Sequence, residues 1–188
     1  MPSGGHVAAR SKAARAAQRV LEELKVRKVP VDVRSLCRKH AFVMTETLPA
    51  DVAGMLVPMA PDASKPYAIL VNKTHSHQRQ RFTMAHELGH LLIHRFTEPH
   101  ADSAPRVRFR DEKSTQGVDR DVIEANQFAA ELLMPADLVV QRLRKVGFGS
   151  PSQELDENAE WLAKLAQEFN VSVHAMSVRI GNLVEELA

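Results

Sequence analysis

The stretch Arg-Phe-Thr-Met-Ala-His-Glu-Leu-Gly-His-Leu-Leu-Ile-His, residues 81–94, constrains this chain more than any other. Inside it His86, Glu87 and His90 form a His-Glu-x-x-His motif. On a helix, side chains four apart stand one above the other on one face, so the two imidazoles can share one metal ion, with zinc the expected one. Glu87 follows His86 by about 100° of rotation. That sets its carboxylate beside the ion, where it can accept a proton from an activated water. Phe82, Met84, Leu88, Leu91, Leu92 and Ile93 supply apolar cover, and Thr83 is placed to cap or bond near the helix start. Gly89 costs a helix interior about 1 kcal/mol relative to Ala. So small a residue between the histidines predicts a close neighbour.

The rest of the composition bounds the setting. The chain has 188 residues, 44% hydrophobic and 26% charged, enough for one soluble domain with a core or one domain with a small appendage. No run approaches the ~20 apolar residues of a membrane span, which excludes a membrane partner of that kind. The N-terminus sets Arg10, Lys12, Arg15 and Arg19 among alanines and has no apolar core of a secretory signal. A single cysteine, Cys37, can form no internal disulfide, which fits a reducing cytoplasm; it reads as a buried structural thiol. The formal net charge of +2 hides an asymmetry. Residues 1–40 carry ten Lys and Arg against three Asp and Glu, and residues 151–188 carry two against seven. A basic N-terminal segment of this kind is either a solvated helix face or a meeting place for nucleic acid or an acidic partner.

Periodicity organises the chain as a basic N-terminal helix after a disordered start (1–29), a core (30–150) and a C-terminal helical segment (151–188). Helices are predicted over about 9–26 and 31–40. Strands follow over 42–46, 52–59 and 67–71, the last containing the apolar run Ala68-Ile69-Leu70-Val71 of a central strand. The polar stretch 95–119 reads as a long loop, with a mobile lid over the site as its expected role. Helices resume over 121–134, ending at Pro135, then to about 146, and over about 158–169 and 172–187. The fold class is α+β: a small sheet of about three strands packed against the motif helix and a second helix, with a helical cap. An edge strand beside the motif would accept an extended peptide as one more strand.

Two segments together carry a family resemblance. One is Arg79-Gln80-Arg81-Phe82-Thr83-Met84-Ala85-His86-Glu87-Leu88-Gly89-His90-Leu91-Leu92-Ile93-His94; the other is Glu124-Ala125-Asn126-Gln127-Phe128-Ala129-Ala130-Glu131-Leu132-Leu133-Met134-Pro135. They resemble the ImmA/IrrE family of metallopeptidases over roughly residues 30–180. The resemblance implies a zinc endopeptidase that cleaves a helix-turn-helix repressor and so switches on mobile-element or stress-response genes. It implies His86 and His90 as zinc ligands and Glu87 as the catalytic general base. The family draws a third ligand, a glutamate, from the second helix, four residues before the Asn. Here that position is Val122. Glu124 is the nearest carboxylate, though two residues turn a helix by about 200°; Asp121 is the alternative. Asn126 fits the orienting of a ligand histidine.

His94 continues the spacing of four, but on a straight helix it stands about 12 Å along the axis from His86, too far to share one tetrahedral ion. Packing, or contact behind a ligand, is its expected role. Glu131 reads as structural. With Val122 in the ligand position, a degenerate member that binds its repressor or DNA without cleavage is the alternative function. The C-terminal pair, Leu162 to Val171 and Ala175 to Leu183, also resembles a helix-turn-helix. It is net acidic, with only Lys164 and Arg179 to meet phosphate, and reads first as a helical cap that closes the core or docks a protein.

Overall fold

The computed structural model describes residues 11–94, 100–103, 118–145 and 160–187. Its elements run α1 (Lys12–Glu23), α2 (Val33–His40), β1 (Phe42–Glu46), β2 (Val52–Pro58), β3 (Tyr67–Asn72), α3 (His77–Ile93), β4 (His100–Ser103), α4 (Val118–Leu133), α5 (Ala136–Lys145), α6 (Glu160–Phe169) and α7 (Val173–Leu187). The class is α+β, as the periodicity predicts. The expected disordered start and most of the 95–119 loop lie outside the described residues.

The sheet has the order β1-β3-β2-β4. β1 runs parallel to β3, and β2 is antiparallel to both β3 and β4. Ile69 and Val71 of the central β3 are fully buried, as a strand paired on both sides requires. The three expected strands form, and β4 is a fourth, drawn from the stretch read as a loop. Its residues His-Ala-Asp-Ser include none of the strand-favouring Val, Ile, Thr, Phe, Tyr or Trp. Only pairing with β2 makes the segment a strand, so propensity could not reveal it. A register shift between Val52 and Gly54 marks where that pairing becomes irregular.

At the end of β3, Asn72 is fully buried. Its Nδ2 lies 3.2, 3.1 and 2.9 Å from the carbonyls of Leu48, Pro49 and Val52, and its Oδ1 accepts from the Thr74 backbone N–H at 3.1 Å. One side chain thus holds the β1–β2 turn against the approach to α3. That helix starts earlier than expected. Ser76 caps it by accepting from the Arg79 backbone N–H at 3.3 Å, and Thr83 is a buried interior residue rather than a cap.

α3 lies between the sheet on one side and α4 on the other, with α1 and α2 also packed against it. One buried cluster runs from Ala13 and Ala17 of α1 through Ile69, Leu88, Phe128 and Leu132 to Leu162, Phe169, Met176 and Ile180. Trp161 packs against this cluster from its rim. Among the described residues no helix is long and apolar enough to cross a membrane.

Two buried arginines fasten the C-terminal pair to this core. Arg81 of α3 donates from Nε to the Asn170 carbonyl at 3.2 Å and from Nη2 to the Val31 carbonyl at 2.9 Å. Arg179 of α7, 4% exposed, donates through Nη1 and Nη2 to both carboxylate oxygens of Glu131 at 2.7 and 2.5 Å, and through Nε to the Met134 carbonyl at 3.1 Å. Glu131 is therefore structural, as expected. Arg179 faces the core and not a phosphate backbone, and Lys164 pairs with Glu160 at 2.6 Å.

Two outcomes test this packing. Arg179→Met leaves the half-buried Glu131 carboxylate without its cation and is expected to destabilise the chain by about 1–3 kcal/mol, read from the urea midpoint; an unchanged midpoint would show the bidentate pair to be incidental. Cys37 is fully buried, its Sγ donates to the Met84 carbonyl at 3.3 Å, and burial pushes its thiol up to about 12. Iodoacetamide at pH 8 is expected to leave the native chain unlabelled and to add one adduct in urea, by intact mass.

Candidate metal centre

The middle of α3 is buried on nearly every side: Arg81 and the whole run Thr83–His90 are enclosed. This explains why the segment carries apolar residues around the whole helix and not along one stripe. His86 is 3% exposed, and Glu87 and His90 are fully buried. The two imidazoles meet edge to face, with ring centroids 4.6 Å apart and planes 78° apart. Their Nε2 atoms face each other at 3.0 Å. Two nitrogens each about 2.0–2.1 Å from one tetrahedral ion stand about 3.3 Å apart, so the pair is arranged close to two corners of such a site.

Glu87 owes its position to β2. A Cβ built on Gly54 would overlap Thr83 Cγ2, and would stand 2.9 Å from the Leu70 carbonyl oxygen and 3.2 Å from Glu87 Oε1. The backbone of β2 therefore passes at contact distance over the carboxylate, and only glycine permits it. The sequence signal for this contact is a glycine interrupting the strand Val-Ala-Gly-Met-Leu-Val-Pro. Gly89 plays the corresponding part on the other side. Its Cβ would lie 3.0–3.2 Å from Phe128, so the close neighbour predicted from its size is an aromatic ring of α4.

The carboxylates expected near the paired Nε2 atoms are placed differently. Glu124 Oε2 lies 3.2 Å from His94 Nε2, and Asp121 Oδ1 lies 3.3 Å from the same nitrogen. His94 in turn faces His90, Nδ1 to Nδ1, at 3.2 Å. The structure thus brings Glu124 and Asp121 to the outer imidazole and not to the inner pair. The cause is the turn of α4: Glu124 stands about 200° round the helix from Val122, on the side that meets the end of α3. Glu124 also accepts from Arg120 Nε at 3.2 Å and sits 3.9 Å from Lys12 Nζ. Burial pushes its carboxyl up, but the hydrogen bonds from His94 and Arg120 and the charge of Lys12 outweigh that and hold it below the ordinary glutamate value.

Asn126 Oδ1 is buried with no hydrogen-bond partner among the described residues, so the orienting bond expected of it is not made to any of them. Nor, among the described residues, do three or more His, Cys, Asp or Glu side chains gather as a complete metal-binding set. What the described residues do provide is a matched pair of imidazole nitrogens beside a buried carboxylate. That donor pair suits a borderline-soft divalent ion such as zinc.

Gly54→Ala is expected to cost about 1–3 kcal/mol of stability by overpacking, read as a lower urea midpoint. An unchanged midpoint would mean that β2 can move off the Glu87 carboxylate freely.

Comparison with known proteins agrees with this geometry. A family model described as the IrrE N-terminal-like domain, from a peptidase family, matches residues 45–181. That span takes in β2, β3, α3, α4, α6 and the first part of α7. A curated relative, "Uncharacterized immunity region protein 2" of Bacillus phage phi105, is 35% identical over 80 residues, covering 43% of this chain and 45% of that protein. The chain thus matches less than half the length of that relative. With the family's domain matched over residues 45–181, the chain belongs to the IrrE N-terminal-like family of metallopeptidases.

Proposed function

We propose that the chain is a zinc-dependent endopeptidase that cleaves a helix-turn-helix transcriptional repressor. The observation that carries this is the 3.0 Å approach of His86 Nε2 and His90 Nε2 with the fully buried Glu87 beside them. His86 and His90 would hold the ion. Zinc bound there supplies a Lewis acid that polarises a scissile carbonyl and makes water nucleophilic near neutral pH.

The chain's own groups do the rest. Glu87 accepts the proton of the attacking water and delivers it to the departing amine, the usual double duty of a single general base and acid. The contact of Gly54 holds its carboxylate in place without a side chain in the way. β4 is the outer strand next to β2, so the sheet edge nearest Glu87 is the one that β4 presents. An extended segment of substrate adding there as a further strand would lie beside the histidine pair. A repressor as substrate is supported by the resemblance, and the phage relative's printed name, an immunity region protein, fits a regulator of such genes. A cytoplasmic setting is supported by the single, buried thiol of Cys37.

A second reading has its own observation. Val122 occupies the position where the family has its third ligand, and the neighbouring carboxylates point to His94. On this reading the chain binds its repressor without cutting it. Binding to DNA through α6 and α7 loses support, because Arg179 is buried and bonded to Glu131.

Elemental analysis separates the two readings. Protein purified without added metal is expected to carry about one zinc per chain, lost in His86→Ala. Glu87→Gln is expected to keep the zinc and to leave the partner repressor uncut on a gel where the wild type cleaves it. Absence of zinc even after it is offered, or cleavage undiminished in Glu87→Gln, would remove this mechanism.

A further inference from the structure

β1 closes the sheet on the side away from β4, and among the described residues no strand lies beyond it. All five of its residues, Phe-Val-Met-Thr-Glu, pair in regular register with β3. Neither a proline nor a bulge interrupts it, the usual means by which an edge strand is kept from pairing again. A groove of about 500 Å³ opens beside it, with Arg38, Val43, Met44, Met59 and Lys65 in its walls. Met44 is 41% exposed and Met59 37%.

The direction of the free backbone groups follows from one bond. Successive residues of a strand turn their N–H and C=O to opposite sides. The Glu46 carbonyl accepts from the Lys73 backbone N–H at 2.8 Å, on the β3 side. Phe42, Met44 and Glu46 therefore turn their backbone groups to β3, and Val43 and Thr45 turn theirs outward. Side chains alternate as well, so those of Phe42, Met44 and Glu46 share one face.

The charges around β1 are sorted by its ends. At the start, Lys65 Nζ stands 5.8 Å from the centre of the Phe42 ring and donates to the carbonyls of Arg38 and Ala41. Arg38, Lys39 and His40 end α2 just before it. At the finish stands the exposed Glu46. A strand with a basic start and an acidic end is complementary to its own copy turned round, and not to a copy laid parallel, which would set basic start on basic start.

We propose that β1 is a dimer edge: two copies of the chain pair antiparallel through it, about a two-fold axis at Met44. In that register Val43 of each copy opposes Thr45 of the other, and they exchange the N–H and C=O groups that face outward. Met44 meets Met44. Glu46 opposes Phe42 of the second copy, which brings its carboxylate to the Lys65 that covers that ring. The contact is isologous, with one patch serving both sides, and it joins two four-stranded sheets into one. The β4 edge and the histidine pair are left as they are, so the proposal stands apart from the metal reading, and removal of zinc is not expected to change the mass.

The test is sedimentation velocity on the full chain. The mass is expected to approach twice the 20.9 kDa of one chain as concentration rises, and the dimer to weaken with salt. Glu46→Lys and Lys65→Glu, each checked for an unchanged circular dichroism spectrum, are expected to be monomers; the double variant Glu46→Lys, Lys65→Glu is expected to recover the dimer. A second measurement does not depend on the Lys65 variant folding. Residues that oppose each other without exchanging hydrogen bonds stand about 4.5 Å apart at Cα, within the reach of a disulfide. Met44→Cys is therefore expected to give a covalent dimer on mild oxidation, and Glu46→Cys, whose two copies lie at opposite ends of the pairing, much less. Cys37 is fully buried and does not compete.

A monomer at every accessible concentration would overturn the proposal. So would a dimer indifferent to both charge reversals, or cross-linking that is equal at positions 44 and 46. If the chain is a monomer and the Val43 and Thr45 amides are nevertheless slow to exchange, something other than a second copy covers the edge and the proposal falls.

Discussion

The structure depends on enclosing three ionisable side chains in the middle of one helix. His86, Glu87 and His90 are at most 3% exposed. A carboxylate and two imidazoles out of water are costly unless bonded or bound to an ion. A helix of this kind cannot lie on a surface with one apolar stripe. It needs cover on all sides, and the fold supplies it from the sheet, from α4, and from α1 and α2. Two glycines set how close that cover comes. Gly54 lets a strand backbone pass over Glu87, and Gly89 lets Phe128 press against the backbone of α3. Both accept the conformational cost of glycine to bring backbone or ring to contact distance.

The helices outside this layer act as buttresses. Arg81 and Arg179 are both buried, and both bridge the C-terminal pair to the core through backbone carbonyls; Arg179 adds a two-pronged bond to Glu131. A guanidinium suits such a place because its planar fork satisfies several acceptors at once. The consequence is functional as well as mechanical. A helix pair whose strongest cation is turned inward cannot present it to phosphate, so the resemblance of α6 and α7 to a DNA-reading pair stops at the backbone.

The elements were legible wherever periodicity or a cap governed them. β1 matches its expected span, β2 and β3 differ from theirs by one residue, and α3 was recognisable from the spacing of His86 and His90. Three features were not. β4 exists only through pairing, and no residue in it prefers a strand. The N-terminal extension of α3 depends on Ser76, a cap within the polar run that precedes the motif. The buried hub at Asn72 has no sequence signal, since its partners are backbone carbonyls 20 to 24 residues away. At the site, the family pattern located the histidines and Glu87. It could not say where Glu124 would turn, because that depends on the rotation of α4 against α3. That rotation is set by Phe128 meeting Gly89, a contact between residues 39 apart in the chain.

That same contact bears on Val122. With Phe128 against Gly89 and Glu124 against His94, higher positions on α3 face lower positions on α4, so the two helices run antiparallel. The start of α4 therefore lies beside the end of α3. A carboxylate near that start meets the last histidine of the stripe before it can reach the first two. Moving Glu124 onto the His86–His90 pair would require α4 to rotate, and Phe128 would then leave the space that Gly89 keeps open. The buried ring is fixed more firmly than a half-buried carboxylate can pull, because Phe128 is fully enclosed and losing such a side chain from a core costs about 3–5 kcal/mol. The packing of α3 against α4 thus favours Glu124 behind His94, and a valine at 122 leaves this helix pairing undisturbed.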